Sequence, residues 1–269
     1  MILRILTALI ALPVIYILIF LKNPYFFIGL VILALIVTLN ETYLMISKKN
    51  LKPYFITGNI FAVMLYLMVL FNAGENYFPG FIALFFMVVF TMTIISGKTD
   101  NFYKIPATIM PVLYTGFLGL FIIKLRLLEN GSYYIFIFLL ITFIYDAGAY
   151  FTGSFMGKHK LIPSISPGKT IEGCIGGLLS AVISVIIIHF FYLPKGLFGQ
   201  DQLLHLIILS VLLSIAGQAG DISESLLKRF SGVKNSSEII PGHGGFFDRI
   251  DSALFNAPAM FFYLFFFVL

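Results

Sequence analysis

The sequence predicts an all-α fold, that of a polytopic integral membrane protein with about nine transmembrane helices, on three observations. Of 269 residues, 60% are hydrophobic and only 11% are charged, whereas a soluble domain carries about 25% charged residues. Mean hydropathy is +1.03. Apolar runs recur along the whole chain, each near the roughly 20 residues a helix needs to cross hydrocarbon. A transmembrane barrel would show short alternating segments instead. The 31 Phe and 14 Tyr suit lipid-facing and interfacial surface, although no Trp contributes to an interfacial belt.

The first span is expected over residues 4–21. Arg4 precedes an apolar stretch to Leu21 that is too long for a signal-peptide core and has no small-residue cleavage site after it, so it reads as a retained helix. Further spans are expected over 25–46, 54–72, 80–97, 106–127, 132–152, 171–193, 203–222 and 252–269. Connections are short except 153–170 and 223–251, both rich in Gly, Ser, Lys and Arg. Residues 1–130 form an N-terminal transmembrane region whose role stays open among scaffold, lipid entrance and the surface of a homodimer. Residues 131–269 form a C-terminal region that carries both long loops and the expected catalytic groups.

Charge sets the expected orientation. With a cytosolic N-terminus, 13 basic residues fall inside (Arg4, Lys48, Lys49, Lys52, Lys98, Lys104, Lys158, Lys160, Lys169, Lys228, Arg229, Lys234, Arg249). Four fall outside (Lys22, Lys124, Arg126, Lys195), which accounts for all 17. That asymmetry satisfies the positive-inside rule. The net charge of +5 is scattered over several loops and is not a nucleic-acid signature. A single cysteine, Cys174, excludes an intramolecular disulfide and any cysteine metal cluster, and its Gly-rich setting reads as small-residue packing.

Acidic residues number only twelve, so their positions are informative. Asp146, Glu172, Asp221, Glu224, Glu238, Asp248 and Asp251 lie in the C-terminal half, near the expected cytosolic helix ends. Asp221 alone reads as a solvated interfacial residue. Asp221, Glu224, Ser225 and Lys228, however, fall at i, i+3, i+4 and i+7, one face of one helix. Asp248 and Asp251 also share a face, with Arg249 directed away from it. Carboxylate oxygens without Cys or His partners suit a hard cation, magnesium first, which usually keeps waters and binds substrate phosphates.

Pro241-Gly242-His243-Gly244-Gly245 precedes the last helix. It reads either as an ordinary flexible turn or as a loop whose backbone N–H groups approach an anion at a helix N-terminus. It lacks the Lys-Ser/Thr ending of a P-loop, so a Walker-type nucleotide site is not supported. His243 reads as a phosphate hydrogen-bond donor or a loop-ordering residue ahead of a proton carrier. In the other long loop, Ser166-Pro167 or Thr170 caps the next helix. Lys158, Lys160 and Lys169 serve topology or a polyphosphate.

Ser225-Leu226-Leu227-Lys228-Arg229, Lys234-Asn235 and Pro241-Gly242-His243-Gly244-Gly245-Phe246-Phe247-Asp248-Arg249-Ile250-Asp251 together resemble the signature of phosphatidate cytidylyltransferases, also called CDP-diacylglycerol synthases. The likeness spans 27 residues with fixed internal spacing. Residues 164–173 and 146–150 are similar to that family as well. In one departure, the family pattern has Lys-Asp where this chain has Lys234-Asn235, which keeps one acceptor oxygen and loses a charge.

The resemblance implies transfer of a cytidylyl group from CTP to phosphatidate, giving CDP-diacylglycerol and pyrophosphate for phospholipid synthesis in a bacterial inner membrane, with the site facing the cytosol. It implies Mg2+, with a second cation as an option, held by Asp221 and Asp248, with Asp251 and Asp146 as further ligands or their partners. Lys228, Arg229, Lys234 and Arg249 would hold triphosphate or lipid phosphate, and Gly242, Gly244 and Gly245 would cradle a phosphate group. His243 and Ser225 complete the expected set, with Ser166 and Lys169 as second-rank contacts to CTP or lipid. The rivals are an ion-coupled transporter, since intramembrane carboxylates also mark ion pathways, and a CTP-dependent lipid kinase.

Overall fold

The computed structural model describes residues 12–72, 75–239 and 244–269. Residues 12–20 are helical and are termed α1. They are followed by α2 (Tyr25–Ser47), α3 (Phe55–Leu70), α4 (Phe78–Ile95), α5 (Lys104–Pro111), α6 (Leu118–Leu127), α7 (Gly131–Met156), α8 (Ile171–Phe191), α9 (Gln202–Ser231) and α10 (Phe247–Phe267). Among the described residues, seven helical stretches are long and apolar enough to cross a bilayer: α2, α4, Thr99–Leu127, α7, α8, α9 and α10. The 16 residues of α3 rise roughly 24 Å at 1.5 Å each, short of a hydrocarbon core of about 30 Å. In Thr99–Leu127, Pro111 ends α5 and the helix widens to a π turn over Val112–Phe117 before α6 resumes.

Two helix boundaries differ from the sequence reading. α9 continues to Ser231 and α10 begins at Phe247, so the polar residues assigned to loop 223–251 lie largely on helix. Apolar length underestimates both helices because the ends that face each other in sequence are built from polar residues. Lys228 and Arg229 occupy the last turn of α9 and Asp248 the first of α10, each complementing the helix dipole. Gly232, at φ 73°, stops α9.

The fold is also not purely helical. Within 153–170, β1 (Lys160–Ile162) and β2 (Ser166–Thr170) pair antiparallel, with Lys160 opposite Thr170, Ile162 opposite Ser166 and an irregularity between. Pro163 and Ser164 sit in the turn, closed by the Ile165 N–H donating to the Ile162 carbonyl at 3.2 Å. Strands this short carry no alternation to read.

The chain divides into two compact units. The first comprises Tyr25–Lys124 and Leu227–Arg249. Leu35, Leu39, Tyr43, Ala62, Val89, Val112 and Phe247 are buried in it. Asn40 and Asn59 exchange side-chain amide hydrogen bonds of 3.0 Å between α2 and α3. The Tyr43 hydroxyl donates to the Thr108 carbonyl at 3.0 Å, in a notch that any Cβ at Gly58 would fill. Glu41 is 1% exposed within α2. A carboxylate in mid-span costs about 2.5–3.5 kcal/mol on insertion scales, so it requires internal donors.

The second unit comprises residues 12–24, Leu125–Leu226 and Ile250–Leu269. Here α7 and α8 approach closely along small residues. A Cβ at Gly177 would stand 2.7 Å from the Tyr145 carbonyl oxygen, and one at Gly173 would stand 2.8 Å from that of Ala149. In lipid such backbone proximity replaces the hydrophobic drive between helices. Asn256 of α10 donates to Thr142 of α7 at 2.9 Å, both buried.

Candidate active site

In the second unit, the β1–β2 hairpin and the facing sides of α7, α8 and α9 enclose a cavity of about 550 Å³, within the range of small-molecule sites. The hairpin is fixed at its base. Thr170 caps α8, its hydroxyl accepting the Gly173 N–H at 3.1 Å. Glu172, in the first turn of α8, accepts the Lys158 N–H at 3.1 Å and the His159 N–H at 3.2 Å, and lies 2.6 Å from His159 Nδ1. This strap presents Ser166 and Lys169 to the cavity, opposite Tyr145, Asp146, Gln218 and Asp221. Lys169 Nζ pairs with Asp221 Oδ2 at 2.6 Å. The Tyr145 hydroxyl donates to Gln218 Oε1 at 2.8 Å.

Asp221 also belongs to a carboxylate cluster. Asp221, Glu224 and Asp251 each place an oxygen within 4.8 Å of the others. The cause is local. A Cβ at Gly220 would stand 2.5 Å from the Asp251 carbonyl oxygen, so glycine lets the first turns of α10 lie against α9, and the i, i+3 spacing aims Asp221 and Glu224 there. Three convergent hard oxygen donors with no sulfur or imidazole fit a divalent cation such as magnesium. Glu224, which spacing puts on this face, joins the cluster. Asp146 lines the cavity as an exposed residue of α7 and lies outside the cluster.

In the first unit, Asp248, an expected cation ligand, accepts hydrogen bonds from this chain. Its Oδ1 accepts Lys228 Nζ at 2.7 Å, and its Oδ2 accepts the Ser236 N–H at 3.0 Å, the Ser236 hydroxyl at 2.9 Å and the Gly245 N–H at 2.9 Å. Asp248 thereby joins Lys228 of α9 to Ser236 and Gly245.

Backbone N–H groups at the end of the expected phosphate cradle and just after it also meet carboxylates of this chain. The Phe246 and Phe247 N–H groups donate to Glu41 at 3.0 and 2.8 Å. With Gly245 bound to Asp248, the N–H groups of residues 245–247 serve carboxylates of this chain. A Cβ at Gly245 would collide with the Ser236 hydroxyl and stand 2.6 Å from Glu41 Oε1, which is why glycine stands there. Gly244 has φ 80°. Gly242 and His243 lie outside the described residues.

Of the remaining expected residues, Ser225 is buried on α9, whereas Arg229, Lys234, Asn235 and Arg249 are exposed. Spacing along α9 located Asp221 and Glu224, and spacing at the start of α10 located Asp251. It gave no sign of Glu41 as a partner of the 236–247 segment, nor of Tyr145 and Gln218 as cavity residues.

A model of the cytidylyltransferase family matches residues 2–267. The chain is 36% identical over 262 residues to the phosphatidate cytidylyltransferase of Staphylococcus epidermidis, covering 96% of both chains. That of Staphylococcus aureus gives the same identity and coverage. That of Bacillus subtilis is 35% identical over 227 residues, 82% of both chains. With apolar helices throughout and this extent of likeness, the chain belongs to the cytidylyltransferase family.

Proposed function

We propose that this protein is a phosphatidate cytidylyltransferase, transferring the cytidylyl group of CTP to phosphatidate and releasing pyrophosphate. The observation that carries the reading is the pairing of Lys169 with Asp221 on a cavity wall, where Asp221 also belongs to a three-carboxylate cluster. The names and coverage of the relatives support the substrates.

In this reading a phosphate oxygen of phosphatidate attacks the α-phosphorus of CTP in line. The bond to the bridging oxygen breaks, and pyrophosphate leaves with the electron pair. Such transfers need positioning and charge neutralisation more than covalent chemistry. Lys169 and Lys160 supply positive charge at the cavity, and Ser166 offers a hydroxyl to a phosphate oxygen. Asp221, Glu224 and Asp251 would hold Mg2+, which supplies further neutralisation of the triphosphate when bound. Lys228, by binding Asp248, keeps the segment before α10 in place, and the exposed Arg229, Lys234 and Arg249 are assigned to lipid or nucleotide phosphates on their chemistry alone.

We further assign nine spans with a cytosolic N-terminus, the short α3 crossing by local thinning of the bilayer, so that the site faces the cytosol from a bacterial inner membrane. The charge asymmetry of the loops supports that orientation. Phosphatidate would then enter sideways, its tails remaining in lipid.

The test is pyrophosphate release by the purified protein in detergent. Release that requires CTP, phosphatidate and Mg2+ together, with CMP retained on the lipid, is expected. Free CDP and a phosphorylated lipid would indicate a kinase instead, and no release from folded protein would overturn the assignment.

A further inference from the structure

The first unit contains a buried carboxylate whose hydrogen bonds among the described residues lead to one distant part of the sequence. Glu41, on α2, is 1% exposed. Its Oε1 accepts the Ser237 hydroxyl at 2.5 Å and the Phe246 N–H at 3.0 Å. Its Oε2 accepts the Ser236 hydroxyl at 3.0 Å and the Phe247 N–H at 2.8 Å. The donors come in pairs, from positions 236–237 and 246–247, so one side chain ties both ends of the stretch leading into α10. Ser237 Oγ in turn accepts the Ile239 N–H at 3.2 Å, extending the tie into the chain beyond.

The chemistry favours this partner over any other. The first N–H groups of a helix have no intrahelical acceptor, and the helix dipole favours an anion beside them. A carboxylate supplies both needs at once, whereas an amide could accept on one oxygen only. The chain accommodates the arrangement with Gly245, where a side chain would occupy the position of Ser236 Oγ and press on both Glu41 oxygens. Asp248 repeats the pattern from the other side, accepting from Ser236 and Gly245. Ser236 is thereby held between two carboxylates.

We propose that Glu41 is a positioning residue for cytidylyl transfer. From the N-terminal half of the chain, its carboxylate holds residues 236–237 and 246–247, and with them the start of α10, in the arrangement that turnover requires. This rests on the proposed reaction. It gives residues 1–130 a part in catalysis by way of α2 and assigns a role to the acceptor of the Phe246 and Phe247 amides.

The experiment compares Glu41→Gln and Ser237→Ala with the wild-type full-length protein in detergent, measuring amide hydrogen exchange, thermal unfolding, and kcat and KM for CTP. Glu41→Gln keeps the shape and removes one of two acceptor oxygens. It is expected to speed exchange at Phe246 and Phe247 at least tenfold, with the rest of the chain unchanged, and to lower kcat at least tenfold. Ser237→Ala removes a single donor, so it folds even where Glu41→Gln does not, and the same two effects are expected to appear at about two- to fivefold. Faster local exchange with wild-type kcat would make Glu41 a structural residue only and overturn the proposal, as would unchanged exchange. If the wild-type protein releases no pyrophosphate, the proposed reaction fails and the role in turnover with it, while the exchange data separately decide whether Glu41 anchors the segment.

Discussion

Lys169 Nζ stands 2.6 Å from Asp221 Oδ2, with the two side chains 17% and 33% exposed. The ion pair joins the hairpin, through β2, to α9 across the cavity. Its partial exposure makes it a modest source of stability, since screened pairs are worth about 0–1 kcal/mol. Its value is chemical. It keeps a positive group beside a carboxylate that also lies near Glu224 and Asp251, so lysine and the proposed divalent cation would compete for one acid.

That competition gives opposite signs for two measurements on Lys169→Met. Without the ammonium group, Asp221 is freed for the cation, and Mg2+ is expected to stabilise the protein against heat at lower concentration than in wild type. Losing a charge-assisted hydrogen bond to substrate phosphate costs about 1.5–3 kcal/mol, roughly ten- to a hundredfold in kcat/KM for CTP. Pyrophosphate release and thermal unfolding against Mg2+ concentration read the two effects. Equal movement of both in the same direction would remove Lys169 from this role.

Glu224→Gln and Asp251→Asn each delete one charge from the cluster without changing its volume. A ligand bound only to the folded state adds stability in proportion to the logarithm of its concentration over its Kd. Each variant is therefore expected to need about tenfold more Mg2+ for the same thermal shift. An unaltered Mg2+ titration in both variants would show that the cation binds elsewhere.

The helices were legible because each is a local apolar run, and the acidic face of α9 because Asp221 and Glu224 are three residues apart. The fate of Asp248 and Asp251 was not. Their spacing suggested a shared role, yet Asp248 accepts from Lys228, Ser236 and Gly245, while Asp251 lies with Asp221 and Glu224. Their partners are tertiary: Gly220 admits Asp251 to α9, and the return of the chain at 236 brings donors to Asp248. Glu41 meets Ser236 across 195 positions, a separation that no periodicity encodes. The hairpin was hidden for a different reason, since Pro163, Pro167 and Gly168 make its short strands look like loop.

Gly220 tests the physical origin of the cluster. The missing Cβ lets the Asp251 carbonyl oxygen approach to 2.5 Å of where it would stand, with Ser252 Cα at 3.2 Å. These are backbone atoms and cannot swing aside. Gly220→Ala is expected to cost about 1–3 kcal/mol through overpacking and to weaken the Mg2+ shift by separating Asp251 from Asp221. A variant that unfolds earlier but keeps the wild-type Mg2+ response would show that the carboxylates do not depend on this contact.

Glu172 separates the hairpin's anchorage from its chemistry. Its carboxylate accepts the backbone N–H groups of Lys158 and His159 and lies against the His159 ring, so it holds the strand base that leads to Ser166 and Lys169. The side chains of His159 and Glu172 are 75% and 25% exposed, so water screens the contact and can replace its partners. Glu172→Ala is therefore expected to change the melting temperature little. The effect should fall on the hairpin: KM for CTP rising about tenfold, and trypsin cutting faster after Lys158 and Lys160. Glu172→Gln, retaining one acceptor oxygen, should lie between. If KM and cleavage both stay at wild-type values, the β1–β2 pairing and the Thr170 cap hold the hairpin unaided, and Glu172 acts only as a charge at the start of α8.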